Sequence, residues 1–346
     1  MLEVSVVVIT RNQEWNVPRL IESVLSKASP FLSIDVILVD SASTDKTVGM
    51  ACAYPINIIS LAPDQRLTAA AGRYVGYNHT SGQFVLFLDG DMELSEGWLE
   101  QALEILLQDP RIAVVTGELI DRPKLTPYDI YISSRAPRET APVVDVPHGG
   151  GAALYRRSVL KEVGTFNPYL YSDEEPDLCV RIRHKGYRVV KLTSSIALHY
   201  TDPDNQISTL FARWKRRLYL GAGQNLRYHL GSELFIPYLK ERGFGLAPAG
   251  GVLVGVASLA LTTKTHRFRW FGLWLASWLG VIGFYTARKK SLYRAIHSLL
   301  LRFLIMDGTI RGFLLTPYRP ETCPIRFTVV KTAGKIDYPP LRENVT

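Results

Sequence analysis

Apolar positions come first as short unbroken runs and then at helical spacing, and the two patterns alternate along the first third of the chain. Residues 4–9 form a β-branched run, and Thr10, Arg11 and Asn12 follow it before a helical pattern carried by Leu20, Ile21, Val24 and Leu25. The unit repeats: a run over 34–39 ends in Asp40-Ser-Ala-Ser-Thr-Asp45, and a helix is expected from about Lys46. A short strand over 56–60, a helix of small residues over 68–79, a strand over 83–88 and a helix over 98–108 complete the series. Near-continuous apolar strands separated by helices predict an α/β fold whose mostly parallel sheet is covered by helices on both faces. In such sheets ligands bind at the carboxyl ends of the strands.

Three of those ends carry polar clusters: Thr10 with Asn12, Asp40 with Asp45, and Asp89 with Asp91. A polar residue after a strand is ordinarily a turn or cap residue. All three clusters on one edge point instead to a shared site. Asp89-Gly90-Asp91 puts two carboxylates in one loop, and hard divalent cations are held by one or two carboxylates together with phosphate oxygens. A second acidic block, Asp173-Glu-Glu-Pro-Asp177, precedes Arg181 and Arg183. Such density is costly unless the carboxylates act as a base, bind a cation, pair with arginines or sit at a helix N-terminus. Leu178 and Ile182 give that helix an apolar face. Residues 120–146, with Arg135 and Arg138 among prolines and tyrosines, read as a long loop beside the site. Gly149, Gly150 and Gly151 then form either a flexible turn or a close backbone approach.

The apolar part sits late. Gly243 to Thr263 is 21 residues without a charge and Trp270 to Ala287 another 18, joined by a short basic segment that includes Lys264, Arg267 and Arg269. Each is close to bilayer-spanning length, with Trp270, Trp274, Trp278 and Tyr285 as interfacial anchors. Two buried core helices, or a re-entrant hairpin, are the alternatives. Residues 296–315, interrupted by Arg302, Asp307 and Arg311, are expected along the interface or against the other helices. Upstream, residues 211–220 alternate bulky apolar and basic side chains, as in a helix lying on an anionic membrane surface.

Composition fits this division. The 346 residues are 47% hydrophobic and 21% charged with a net charge of +8, which excludes a disordered chain and implies an anionic partner. Lipid headgroups and diphosphates account for the charge better than nucleic acid, for which no recognised motif is present. Cys52, Cys179 and Cys323 include no CxxC pair and fit a reducing compartment. The N-terminus lacks a basic region and a long apolar run, so export of this part is not expected.

The ordered motifs resemble the family 2 glycosyltransferases of the GT-A fold, in particular their rhamnosyltransferase-like branch. The matching pieces are the Val6-Val-Val-Ile9 strand with Asn12 and Glu14, the Asp40 to Asp45 turn, Leu88-Asp-Gly-Asp91, Gly150 to Arg157 before Val163-Gly-Thr-Phe166, and the Glu174-Glu-Pro-Asp-Leu-Cys-Val-Arg181 block, over roughly residues 4–200. The resemblance implies a nucleotide-sugar donor, with Asp40 on the base, Asp89 on the ribose, and Thr10, Asn12 and Arg73 as further donor contacts, Arg73 at the diphosphate. It implies a divalent cofactor, Mg2+ or Mn2+, on Asp91 with His199 as second ligand, although a lone histidine in an apolar strand is as often structural. The family's base is the aspartate of a Glu-Asp pair; here the pair reads Glu174-Glu175, which makes Glu175 the expected base and Glu174 the alternative.

The expected activity is inverting transfer of a sugar to a lipid-linked or cell-surface glycan acceptor, at a membrane and with the catalytic domain facing the cytoplasm. A polyprenyl-phosphate sugar synthase is the nearest rival. A dinucleotide-binding oxidoreductase lacks its GxGxxG after the first strand, and a non-catalytic membrane-recruiting module has only the Glu175 departure in its favour. The expected domains are 1–205 catalytic, 206–242 basic amphipathic helices, 243–315 apolar hairpin and interfacial helix, and 316–346 a tail.

Overall fold

The computed structural model describes residues 1–29, 31–122, 143–201, 206–265 and 268–333. It divides into two units, one of Met1–Leu170, Glu174–Asp202 and the chain from Tyr318, the other of Tyr171–Asp173 and Pro203–Pro317.

The first unit is built on one ten-stranded sheet. In chain order its elements are β1 (Leu2–Thr10), α1 (Val17–Leu25), β2 (Leu32–Asp40), α2 (Thr47–Ala51), β3 (Asn57–Leu61), α3 (Ala69–Asn78), β4 (Phe84–Asp89), β5 (Met92–Leu94), α4 (Trp98–Gln108), β6 (Ile112–Arg122), β7 (Val143–Asp145), β8 (Ala153–Arg156), α5 (Arg157–Val163), α6 (Glu174–His184), β9 (Arg188–Tyr200) and, near the C-terminus, β10 (Phe327–Lys331). Strand order is β10-β3-β2-β1-β4-β8-β6-β9-β5, with β7 on β9. The half β3-β2-β1-β4 is parallel, as the apolar runs predict. Beyond β4 the sheet is mixed: β8 lies antiparallel between β4 and β6, β9 runs parallel to β6, and β5 runs antiparallel to β9.

Both faces of β1 are buried, which is why its sequence does not alternate. Val4, Val6 and Val8 pack in one core with Leu20 and Ile21 of α1 and Trp98 and Leu99 of α4. Val7 packs in the other with Val75 of α3 and Leu178 and Ile182 of α6.

Two sequence expectations need amending here. Of the stretch 120–146 expected as a loop, the part up to Arg122 belongs to β6 and Val143–Asp145 form β7; residues 123–142, with Arg135 and Arg138, lie outside the described residues. The stretch taken as a tail contributes β10, which pairs antiparallel with β3 and covers that edge of the sheet. A short amphipathic strand after a long apolar segment has no local signal to mark it as an edge partner.

The second unit is helical: α7 (Ile207–Lys215), α8 (Gly221–Tyr228), α9 (Phe235–Arg242), a 3-10 turn (Gly243–Leu246), α10 (Ala247–Thr265), α11 (Arg269–Lys289) and α12 (Leu292–Phe313). The basic helix expected over 211–220 stops at Lys215, and Arg217 adopts φ 64° at the break. α12 lies against α8. A Cβ on Gly308 would collide with the Tyr219 carbonyl, one on Gly312 with that of Leu220, and one on Gly223 with that of Thr309. Small residues four apart on one helix thus let backbones touch, a packing mode common between membrane helices.

α10 and α11 form the hairpin the apolar spacing predicts. Trp274 lies over Gly255 and its indole N–H donates to the Gly251 carbonyl at 2.9 Å. Phe235–Thr265 and Arg269–Lys289 are long and apolar enough to cross a membrane. Their outward side chains, including Leu253, Val256, Leu273 and Leu279, are exposed, which sets aside the reading as buried core helices.

Candidate active site

The sheet register assembles the site. β1 and β2 end level, Thr10 beside Asp40, and β4 ends beside them with Ile9 opposite Asp89. The loops after these strands lock together. Asn12, at φ 54°, accepts the Thr44 amide on its side-chain oxygen at 2.8 Å and donates its own amide to Ser43 Oγ at 2.8 Å. Asp40 is buried and accepts the Ser43 amide at 2.9 Å, with the Ser43 hydroxyl on its other oxygen. Thr10 Oγ1 lies 3.4 Å from the same carboxylate. Asp45 is a turn residue: it accepts the Thr47 amide at 3.0 Å and the Glu14 amide at 3.1 Å, and these bonds hold its carboxyl below the ordinary range although burial opposes them.

The Asp89-Gly90-Asp91 loop is held from below by Asn16, which the sequence reading did not single out. Its buried side-chain amide donates to the carbonyls of Gly90 at 3.0 Å and Met92 at 2.8 Å. Gly90 packs so closely that a Cβ would lie 2.8 Å from Thr10 Cγ2, and a Cβ on Gly151 would lie 2.6 Å from Asp89 Oδ2. Of the two readings of the glycine run, close backbone approach is the one observed.

Arg73 joins this loop to the second acidic block. Only 2% exposed, its guanidinium donates to Asp89 Oδ1 at 2.8 Å and Glu174 Oε1 at 2.6 Å and lies 3.0 Å from Glu175 Oε1. The structure thus engages it with three carboxylates. One cation cannot neutralise three anions, and burial penalises the excess charge. Glu174 is accordingly pushed up to about 8, by burial first and the Glu175 charge second, with Arg73 opposing. Asp89 is pushed up to about 6, again by burial first.

The acidic block therefore separates into three parts. Asp177 accepts from Arg181 one helical turn on, at 2.8 Å, and Arg181 also donates to the carbonyls of Val163, Gly164 and Thr165. Asp173, at φ 60°, belongs to the helical unit, where Arg242 Nε donates to it at 3.0 Å and the Tyr238 hydroxyl at 3.2 Å. Glu174 and Glu175 are left with Arg73. Glu174 is 6% exposed and Glu175 16%, so Glu175 is the more open of the pair.

Asp91 and His199 meet across the β5–β9 edge. His199 stands opposite Met92, its Nε2 is 3.7 Å from Asp91 Oδ2, and its Nδ1 is 2.8 Å from Asp121 Oδ1. The neighbouring Asp91 carboxylate pushes the imidazole up to about 9, against partial burial and with Asp121 adding. Asp91 Oδ1 is buried without a hydrogen-bond partner. A buried orphan oxygen beside an imidazole suits a divalent cation that takes its remaining ligands from phosphate and water. Among the described residues, no group of three or more His, Cys, Asp or Glu forms an all-protein cage, so the donor set fits a shared site rather than a closed one.

Acidic loops thus stand at the carboxyl edge of a mixed sheet, tied through Arg73 to the Glu174–Glu175 pair. Residues 5–164 match glycosyl transferase family 2, and the chain carries a domain of that family. It is 29% identical over 227 residues to the pre-mycofactocin glycosyltransferase of Mycobacterium tuberculosis, covering 61% of this chain and 45% of that protein. It is 25% identical over 176 residues to the O-antigen chain rhamnosyltransferase WbaN of Salmonella anatum, covering 47% and 56%. The chain thus spans about half the length of these curated relatives. Among solved structures, the mannosyltransferase PcManGT from Pyrobaculum calidifontis, in complex with GDP-Man and Mn2+, superposes with a TM-score of 0.57 at 18% identity over 90% of this chain and 87% of that one. S. aureus TarS 1–349 with UDP-GlcNAc gives 0.50 at 17% identity, covering 90% of each. The shared fold is GT-A.

Proposed function

We propose that the protein is a metal-dependent, inverting glycosyltransferase that moves a sugar from a nucleoside-diphosphate donor to a hydroxyl of a lipid-linked or cell-surface glycan. The observation that carries this reading is the buried Arg73, which ties the donor loop at Asp89 to the carboxylate pair Glu174–Glu175. A donor-binding edge and a base are thereby held on one rigid support. Asp40, with Thr10 and Asn12 in the same locked loops, is assigned to the nucleoside base, and Asp89 to the ribose. Asp91 and His199 would hold the cation, Mn2+ or Mg2+, which when bound neutralises charge on the departing diphosphate.

The remaining chemistry belongs to the chain. Glu175 accepts the proton of the acceptor hydroxyl; that oxygen forms the new bond to the anomeric carbon as the bond to the diphosphate breaks, and its electron pair leaves with the diphosphate. A single displacement of this kind inverts the anomeric centre. Glu174, holding a proton near neutrality, lets Glu175 and Asp89 share the one guanidinium. Arg73 acts through these carboxylates rather than on the diphosphate.

The exposed apolar hairpin of the helical unit supports a membrane location and so an acceptor carried on a lipid; the cytoplasmic side for the catalytic unit is carried over from the sequence expectation, which rests on the absence of an export signal before the first strand. Anionic headgroups are the expected partners of the basic residues Arg213 and Lys215 at the end of α7. The test is to incubate membranes containing the protein with radiolabelled nucleotide sugars and lipid acceptors. Label on a lipid-linked glycan supports the proposal, whereas transfer straight to bare polyprenyl phosphate would make the protein a polyprenyl-phosphate sugar synthase.

A further inference from the structure

Asp121 occupies no position in any motif read from the sequence, yet the fold sets it beside His199. β6 and β9 run parallel with Asp121 paired to His199, and side chains at paired positions of neighbouring strands project from the same face. The imidazole Nδ1–H donates to Asp121 Oδ1 at 2.8 Å. This bond occupies one ring nitrogen and leaves Nε2 on the side of Asp91, 3.7 Å from Oδ2. The Asp121 side chain is 71% exposed, so neither burial nor core packing accounts for its placement.

We infer that Asp121 is a positioning residue, which fixes the ring orientation and tautomer of His199 so that Nε2 is presented to the cation shared with Asp91. Metal-ligating histidines generally donate their second ring nitrogen to a carboxylate or carbonyl, and loss of that partner weakens metal affinity about 10–100-fold. The inference rests on the proposed assignment of His199 as a ligand. It extends the site by one residue, on a strand 78 positions away in sequence.

The experiment titrates the full-length protein with Mn2+ alone, following the free-ion signal by electron paramagnetic resonance, and reads directly bonded nitrogen by its 14N hyperfine coupling. Wild type is expected to show the coupling. Asp121→Ala should raise the Mn2+ Kd about 10–100-fold and weaken or abolish the coupling. Asp121→Asn, whose amide oxygen still accepts from Nδ1, should recover the coupling and most of the affinity. The melting temperature should stay near wild type in both variants, because the side chain is exposed.

If Asp121→Ala keeps both Kd and coupling while His199→Ala loses them, the positioning role is wrong and the ligand assignment stands. If His199→Ala also binds Mn2+ as wild type does, the assignment and the inference fall together. Failure of Asp121→Asn to restore what Asp121→Ala loses would also overturn the hydrogen-bond account.

Discussion

Replacing Arg73 by Met removes the cation while keeping a long side chain to fill its space. Three carboxylates then face one another, with Asp89, Glu174 and Glu175 previously 2.8, 2.6 and 3.0 Å from guanidinium nitrogens. Breaking a buried ion pair by removing one partner costs about 3–5 kcal/mol, because the charge left behind is uncompensated. At about 2–4 °C per kcal/mol for a unit of this size, the melting temperature should fall by about 6–20 °C near pH 8.

The loss should also depend on pH in a defined direction. Protonation relieves the stranded carboxylates, so the difference between wild type and variant should shrink on going from pH 8 to pH 5.5. The assay is intrinsic fluorescence during thermal unfolding of both proteins in the same detergent at both pH values. A fall of less than 2 °C at pH 8, or an equal fall at both pH values, would refute the reasoning, since the first denies the burial cost and the second leaves only lost packing.

Other predictions test separate parts of the account. Because the Glu174 carboxyl sits at about 8 in the fold, above its ordinary value, its contribution to stability is complete below about pH 4.5 and is lost as pH rises through about 8. Glu174→Gln should therefore flatten the decline in melting temperature between pH 6 and 9; a decline as steep as wild type would contradict the assignment of the proton. Asn16→Ala strands the carbonyls of Gly90 and Met92 and should cost about 1–3 kcal/mol, measured as a lower unfolding midpoint, together with weaker donor binding. Gly312→Ala forces a methyl against the Leu220 carbonyl and should destabilise the helical unit by at least about 1–3 kcal/mol. Protease sensitivity should then rise between Tyr219 and Phe313 while nucleotide-sugar affinity stays at the wild-type level.

The parallel half of the sheet was legible because β1, β2 and β4 are apolar on both faces and end in polar turns. The hairpin was legible from its length, and α4 from the spacing of Trp98 to Gln108. The unread parts depend on contacts distant in sequence. Asn16 reaches carbonyls 74 and 76 residues away, and Arg73 meets Glu174 across 101. Local periodicity carries no information about either. Arg73 was singled out as a site residue, but its three carboxylate partners were not, since a sequence shows a cation without showing which anions the fold brings to it. The acidic block was read as one cluster, yet its members separate by partner, Asp177 to Arg181 within its own helix and Asp173 to Arg242. Only the first of those pairs has the four-residue spacing that a sequence displays.

The central claim is that this edge of the sheet transfers sugar from a nucleotide donor with a metal on Asp91 and Glu175 as base. Its most direct measurement is release of nucleoside diphosphate from a panel of nucleotide sugars, with and without Mn2+, by wild type, Asp91→Ala and Glu175→Gln in lipid vesicles containing extracted membrane glycolipids. The account predicts metal-dependent release from at least one donor by wild type and a loss of at least about 100-fold in each variant, the size of a general-base contribution. Metal-independent release, or wild-type rates in both variants, would contradict it.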